Sequence, residues 1–360
     1  MDFLVAKDDL HNCHLQETAP PEPKDGQALL EVVHFGLTAN NITYAMFGEA
    51  MSYWGFFPAD DPGWGRVPMW GFATVAASKH EQLEAGRRVY GYLPPSTGLL
   101  VTPARVSEDG FIDASAHRTE LPGAYNSYRS TTTDPVYDAG REDQQMLLRP
   151  LFFTSYLLDD FLAEAALFGA PMAVISSASS KTSSGLAFLL SQREGIEVVG
   201  LTSSRSVEFV RGLDVYDHVV SYDELGELPP GRAVYVDMAG DAAVRQAVHE
   251  HYAGELAHSA VIGATHHDRM GSVPDELPGP RPTFFFAPDR VVKRSADWGT
   301  KGLEQRLAQA WKPYVEWTDG WLRVIHARGG EELQSTYLEL LDGRIDPATA
   351  HVLTLQTAGA

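Results

Sequence analysis

The sequence predicts an α/β chain, with a doubly wound parallel sheet in its middle and β-rich segments contributed by both chain ends. Three observations carry this. Residues 171–263 alternate short apolar runs with helix-compatible runs. The first hundred residues read as strands and turns. The chain has 360 residues, enough for two domains, since one hydrophobic core seldom grows past roughly 250–300 residues.

Taken in order, ALLEVVHFGLT, GRRVYGYLP and GLLVTPARV have the β-rich, partly alternating pattern of strands. Residues 108–145 turn polar and turn-rich and read as a surface excursion, outside the core. At Leu147 a long apolar, helix-compatible run begins, PLFFTSYLLDDFLAEAALFGA. MAVISS then reads as a buried parallel strand, KTSSGLAFLLSQREG as a helix, IEVVGLTSS as a strand and RSVEFVRGLD as a helix. DHVVSY, AVYVDMAG, DAAVRQAVHEHYAG and SAVIGAT continue the alternation, the pattern of a doubly wound sheet. After the proline-rich PDELPGPRP come FFFAPDRVVKR, two amphipathic stretches and a closing HVLTL with strand character.

Composition narrows the function classes. The formal charge is −20, which disfavours nucleic acid and anionic membrane surfaces as main partners by repulsion. Cys13 is the single cysteine, so an internal disulfide framework and a multi-thiolate zinc site are both excluded. The N-terminus lacks a signal-peptide pattern, and no apolar stretch reaches the ~18 residues of a membrane span. The expected location is the cytoplasm.

The turn after MAVISS runs Ser176, Ser177, Ala178, Ser179, Ser180, Lys181, Thr182. A turn joining the first strand of such a sheet to its helix is where a pyrophosphate rests, against the unpaired amides and partial positive charge of the helix N-terminus. Ser179, Ser180, Lys181 and Thr182 are the candidate phosphate contacts; the alternative is a serine-rich helix cap with an exposed lysine. The GxGxxG pattern is absent, and so are the flanking glycines of a Walker loop. The second strand ends in Ser203, Ser204 and Arg205. At that position an acidic residue suits a free ribose 2′-hydroxyl, whereas hydroxyls with an arginine suit a 2′-phosphate, which favours NADP(H) over NAD(H). The alternative is again a helix cap with a surface arginine.

VVHFGLTANNITYAMFGE, WGFATVAAS with AGRRVYGY, LTSSRSVEFVRGLDVYDHVVSYDE, VDMAG and SAVIGAT together resemble the medium-chain dehydrogenase/reductase superfamily, in its zinc-independent quinone oxidoreductase and enoyl reductase branches. The resemblance implies a Rossmann-type sheet plus a β-rich GroES-like barrel catalytic domain. That barrel domain would comprise residues 1–146 and 278–360, with residues 147–277 as the NADP-binding domain. It implies further cofactor contacts at Tyr222, Met238 and Gly263, and a homodimer. The usual zinc histidine is replaced within Trp70-Gly71-Phe72, so no metal is expected. The family's phosphate-loop glycines fall at Ala178, Lys181 and Ser184, crowding the loop.

In those reductases a tyrosine near the first long loop contacts cofactor or substrate. Tyr44 holds the matching place, with Asn41 or Asn40 to polarise the same substrate oxygen and Tyr53 as a rival. His266 and His267 follow the last sheet strand, and Phe284, Phe285 and Phe286 suit either a pocket wall or a subunit-pairing strand. The expected function is NADPH-dependent hydride transfer to a small molecule, an activated C=C, quinone or enone. The alternative is a reductase-like protein that has lost hydride chemistry and works as a ligand-binding or sensor module, or on a cofactor-free reaction.

Overall fold

A computed structural model describes residues 1–19, 21–262 and 277–356 and divides the chain into two compact units, Met1–Leu147 with Leu322–Ala360, and Leu148–Trp321. The first unit opens with strands β1 (Asp2–Ala6), β2 (Cys13–Gln16) and β3 (Ala28–Leu37), then helix α1 (Ala39–Met46). Next come β4 (Trp64–Gly65), β5 (Met69–Ser78), β6 (Arg88–Leu93), β7 (Gly98–Val101), β8 (Pro103–Ser107), β9 (Gly110–Asp113) and β10 (Ser127–Ser130). Helix α2 (Glu142–Glu164) carries the chain across the boundary and begins five residues before the expected apolar run. Glu142 and Asp143 in its first turn favour that start, because carboxylates suit the positive end of a helix.

The second unit contains β11 (Met172–Ile175), α3 (Lys181–Ser191), β12 (Glu197–Thr202), α4 (Val207–Gly212), β13 (His218–Ser221), β14 (Ala233–Asp237), α5 (Ala242–Tyr252), β15 (Leu256–Ile262), β16 (Thr283–Phe285), α6 (Ala287–Trp298) and α7 (Thr300–Thr318). Its six strands are all parallel in the order β13-β12-β11-β14-β15-β16, with the strand order reversing direction between β11 and β14. Every residue of β11 and β14 is buried, as their unbroken apolar runs require of strands covered on both faces. The chain then re-enters the first unit as β17 (Arg323–Arg328), α8 (Gly330–Leu341) and β18 (Thr349–Thr354). There a nine-stranded sheet runs β17-β18-β3-β5-β6-β10-β9-β8, with β7 also on β3. Its core joins Phe3, Leu30, Phe35, Val75, Leu93 and Tyr337.

Two expectations are corrected. Residues 278–321 belong to the second unit, because Thr283–Phe285 adds to β15 as the sixth parallel strand and α6 and α7 follow it there. Residues 108–145 are no surface excursion: β9 and β10 are internal strands of the large sheet. Their polarity misleads because it is satisfied inside. Arg118, 1% exposed, pairs with Asp113 at 2.7 Å and donates to the Tyr128 hydroxyl at 3.0 Å. GLLVTPARV also divides into two strands, β7 and β8, at Thr102. Among the described residues, no helix is long and apolar enough to cross a membrane.

Candidate functional site

In the second unit, β11 delivers the chain to a turn fastened from below. The Ser176 hydroxyl donates to Asp237 Oδ1 at 3.1 Å and accepts the N–H groups of Met238 and Ala239 at 2.9 and 3.0 Å. Asp237, fully buried, also accepts from the Gly240 amide at 2.9 Å and from Arg245 Nε at 2.7 Å. The ends of β11 and β14 and the start of α5 are thereby one hydrogen-bonded unit.

Ser177 turns the chain with a φ of 54°, in the left-handed region where a side chain is strained and glycine is favoured. Its N–H is donated to the Tyr222 hydroxyl at 2.7 Å, which secures the conformation. The Ser180 hydroxyl caps α3, accepting the Ser183 amide at 3.2 Å. Buried Ser183 donates to the Ser176 carbonyl at 3.0 Å, closing helix on strand. The residue with the left-handed φ is Ser177, one before the expected Ala178, and the tightest packing in α3 falls at Gly185, one after the expected Ser184, where a Cβ would lie 2.9 Å from the Ser155 hydroxyl. A side chain is accommodated at Ser177 because a local hydrogen bond holds the conformation. Glycine survives where nothing else fits, at Gly200, whose Cβ would lie 2.8 Å from the Tyr216 ring and 3.0 Å from the Ala178 Cβ.

The amides of Lys181 and Thr182 lie in the first turn of α3, at the positive end of that helix. Around them stand half-exposed Ser177, Ser179, Ser180, Lys181 and Thr182. The lining consists of amides, hydroxyls and one ammonium. This set has the chemistry to hold a pyrophosphate, with Ser180 occupied chiefly as the helix cap.

At the end of β12 the Ser203 hydroxyl donates to Ser206 Oγ at 3.3 Å. The Ser204 hydroxyl lies 2.9 Å from Ser221 Oγ and donates to the Asp223 carboxylate. Arg205 is exposed, and among the described residues no carboxylate pairs with it. Asp223 is the residue sequence reasoning missed. It is adjacent only because Thr202 and Ser221 are partners in the parallel register of β12 and β13. Met238 is half-buried and held by its amide, and Tyr222 by its hydroxyl, whose pKa burial raises. Gly263, His266 and His267 lie outside the described residues.

In the first unit, Tyr44 stands on α1 in an aromatic cluster with Tyr53, Phe56, Phe57 and Tyr92, flanked by Trp70 and Tyr125. Trp70 Nε1 donates to the Tyr44 hydroxyl at 3.1 Å, and the Tyr44 ring lies 4.7 Å from Tyr53 and 5.4 Å from Tyr92. Tyr125, from the stretch expected to lie at the surface, packs 4.7 Å from Tyr92 and 6.0 Å from Tyr53. Burial, reinforced by Tyr125, drives the Tyr44 pKa well above its ordinary value, against hydrogen bonds from Trp70 and Asn40. Tyr53 is pushed up to about 12, chiefly by burial. These phenols stay protonated at neutral pH and are proton donors, not bases.

Asn41 does not join them. Its Oδ1 accepts the Thr38 amide at 2.8 Å, and its Nδ2 donates to the Pro68 carbonyl at 2.9 Å. The amide is consumed in the capping box of α1 and in tying that helix to Pro68, just ahead of β5, so the expected catalytic role is corrected to a positioning one. Trp70 and Phe72 both pack on Tyr90, while a Cβ at Gly71 would meet the His34 carbonyl at 2.4 Å. Among the described residues, no three His, Cys, Asp or Glu side chains gather as a metal site.

The parallel six-stranded sheet and the accompanying β-rich unit are the two-part fold that the resemblance implied, and solved structures share it. CurA from Vibrio vulnificus, solved in complex with NADPH, shares it with a TM-score of 0.59 and 14% identity over 99% of both chains. So do Escherichia coli K-12 YhdH with bound NADPH (TM-score 0.57, 16% identity, 98% of this chain and 99% of that) and the quinone oxidoreductase of Coxiella burnetii (0.56, 14%, 99% of both). No curated protein matches by sequence. The chain belongs to the family described as "Protein of unknown function (DUF2855)", whose model matches residues 35–346.

Proposed function

We propose that this chain is an NADP(H)-dependent reductase that delivers hydride to an activated C=C, quinone or enone of a small molecule, without a metal. The observation that carries the reading is the turn after β11, whose amides, hydroxyls and Lys181 include no carboxylate, with Arg205 and two serine hydroxyls at the end of β12. NADPH bound in the similar folds of CurA and YhdH supports it. When bound, the nicotinamide supplies the hydride. The protein's share is to hold the phosphates at α3 and the 2′-phosphate at Ser203, Ser204 and Arg205. Tyr44 offers its protonated hydroxyl to the substrate oxygen on which charge develops. Trp70 holds that hydroxyl by its indole N–H, and Asn41 holds the start of the helix that carries Tyr44.

The reading includes a cytoplasmic homodimer. Among the described residues β16 pairs on one side only, and it leads into Phe286, 43% exposed, which supports pairing of two copies there. One observation favours the second reading, a ligand-binding protein without hydride chemistry: Tyr44 is 5% exposed. Thermal unfolding with NADPH, followed by dinucleotide oxidation with a quinone and an enone panel, separates the two. Stabilisation with oxidation is expected. No stabilisation at millimolar NADPH overturns the cofactor assignment, and stabilisation without oxidation of NADPH by any acceptor favours the second reading.

A further inference from the structure

Ser204 sits where the ribose end of the dinucleotide lies in the proposed reading, yet its hydroxyl is already directed. It donates to the Asp223 carboxylate and lies 2.9 Å from Ser221 Oγ. Asp223 is itself positioned, because its N–H is donated to the same Ser221 hydroxyl at 3.2 Å. The cause is the sheet: with Thr202 and Ser221 in register, residues 203–205 and 222–224 leave neighbouring strands side by side. An exposed carboxylate therefore stands directly against the Ser204 hydroxyl and beside the segment carrying Arg205.

The two ribose chemistries respond oppositely to this carboxylate. A free 2′-hydroxyl donates a hydrogen bond that a carboxylate accepts. A 2′-phosphate offers acceptors and negative charge, so the same carboxylate repels it and keeps the Ser204 proton from it. Arg205 and Ser203 pull the other way. The subsite thus combines one element for each cofactor, supplied by two different strand ends.

We propose that Asp223 is a cofactor-selectivity residue, which restrains 2′-phosphate binding at Ser203, Ser204 and Arg205 and lets the protein accept NADH beside NADPH. The inference rests on the dinucleotide reading above. Asp223→Asn keeps the size of the side chain and an oxygen acceptor for Ser204 while removing the charge. The fold should be insensitive to it because the residue is exposed and its backbone bond to Ser221 is untouched.

The test is titration of the full-length protein with NADPH and NADH, followed by dinucleotide fluorescence, and with 2′,5′-ADP and 5′-AMP, followed calorimetrically. The two adenine nucleotides read the ribose end without any nicotinamide chemistry. Wild type is expected to bind NADPH and NADH with Kd values within about tenfold of each other, and Asp223→Asn to move their ratio about tenfold further toward NADPH. The ratio for 2′,5′-ADP over 5′-AMP should move with it, and Arg205→Gln should move both ratios the opposite way. Unchanged ratios in Asp223→Asn, with both dinucleotides still bound, overturn the selectivity role and leave the reductase reading standing. Failure of wild type to bind any of the four ligands overturns the dinucleotide reading, and the inference with it.

Discussion

Trp70 donates its indole N–H to the Tyr44 hydroxyl at 3.1 Å, which holds the phenol oxygen in place beside the rings of Tyr53 and Tyr92. Burial raises the Tyr44 pKa above its ordinary value of 10, so the neutral donor form persists through neutral and moderately alkaline pH. Under the proposed reading, Tyr44→Phe lowers turnover about 10²-fold, the usual scale for a positioned proton donor, while the NADPH Kd stays within about twofold. Steady-state kinetics beside a binding titration checks this. An unchanged kcat would remove Tyr44 from the chemistry, and the wild-type pH–rate profile should show no decline from tyrosine ionisation near pH 10.

The stretch carrying Tyr125 is anchored by a buried ion pair, Arg118 with Asp113 at 2.7 Å, each side chain 1% exposed. The guanidinium also faces the rings of Phe56 and Phe57 at 5.4 and 5.0 Å. Removing one partner strands the other charge without water, so Arg118→Met is expected to cost about 3–5 kcal/mol. Urea unfolding measures it, and a loss under about 1 kcal/mol would mean that Asp113 is re-solvated.

Glu142 gathers His34 at 3.1 Å, Arg88 at 2.6 and 2.9 Å, and the Tyr137 hydroxyl at 2.9 Å. Burial works to raise its pKa, but the bonds from His34, Arg88 and Tyr137 outweigh it and bring the carboxyl from 4.5 down to about 2. A depressed carboxyl contributes stability that is complete above its unfolded pKa and is lost as pH falls toward its folded pKa. The window is therefore pH 4.5 to 2, and the contribution is up to about 3 kcal/mol. Unfolding free energies across that range should fall steeply in wild type and less steeply in Glu142→Gln. Parallel slopes would disprove the assignment.

Ser176 satisfies two amides and one carboxylate with a single hydroxyl. In Ser176→Ala the Met238 and Ala239 N–H groups and Asp237 each lose a partner, at an expected total of about 1–3 kcal/mol. The turn after β11 should loosen with it. Hydrogen exchange at Ser177–Lys181 should accelerate, and unchanged protection there would show that Asp237 and Tyr222 hold the turn without Ser176.

The parallel sheet was legible in the sequence because a strand buried on both faces must be continuously apolar, and such runs, from MAVI to AVYVD, alternate with helical stretches except between β13 and β14. The turn after β11 and the end of β12, where the candidate phosphate contacts stand, were legible as positions for a related reason: topology assigns them before their residues are considered. Polar segments were not. Residues 108–145 read as surface because a buried guanidinium looks like an exposed one until Asp113 and Tyr128 are seen around it.

The amino-acid sequence by itself determined the element order, the alternation that makes the sheet and the residue types at the two positions proposed to meet phosphate, all properties of local pattern. The tertiary structure alone decided that Asn41 is spent on a helix cap, that Ser177 and not Ala178 bears the left-handed turn, and that Tyr125 reaches the Tyr44 cluster. It alone brought Asp223 to Ser204, nineteen positions away in the chain. The physical reason is common to all four: each depends on which groups a backbone register or a close packing brings within hydrogen-bond reach, and spacing along the chain does not encode that.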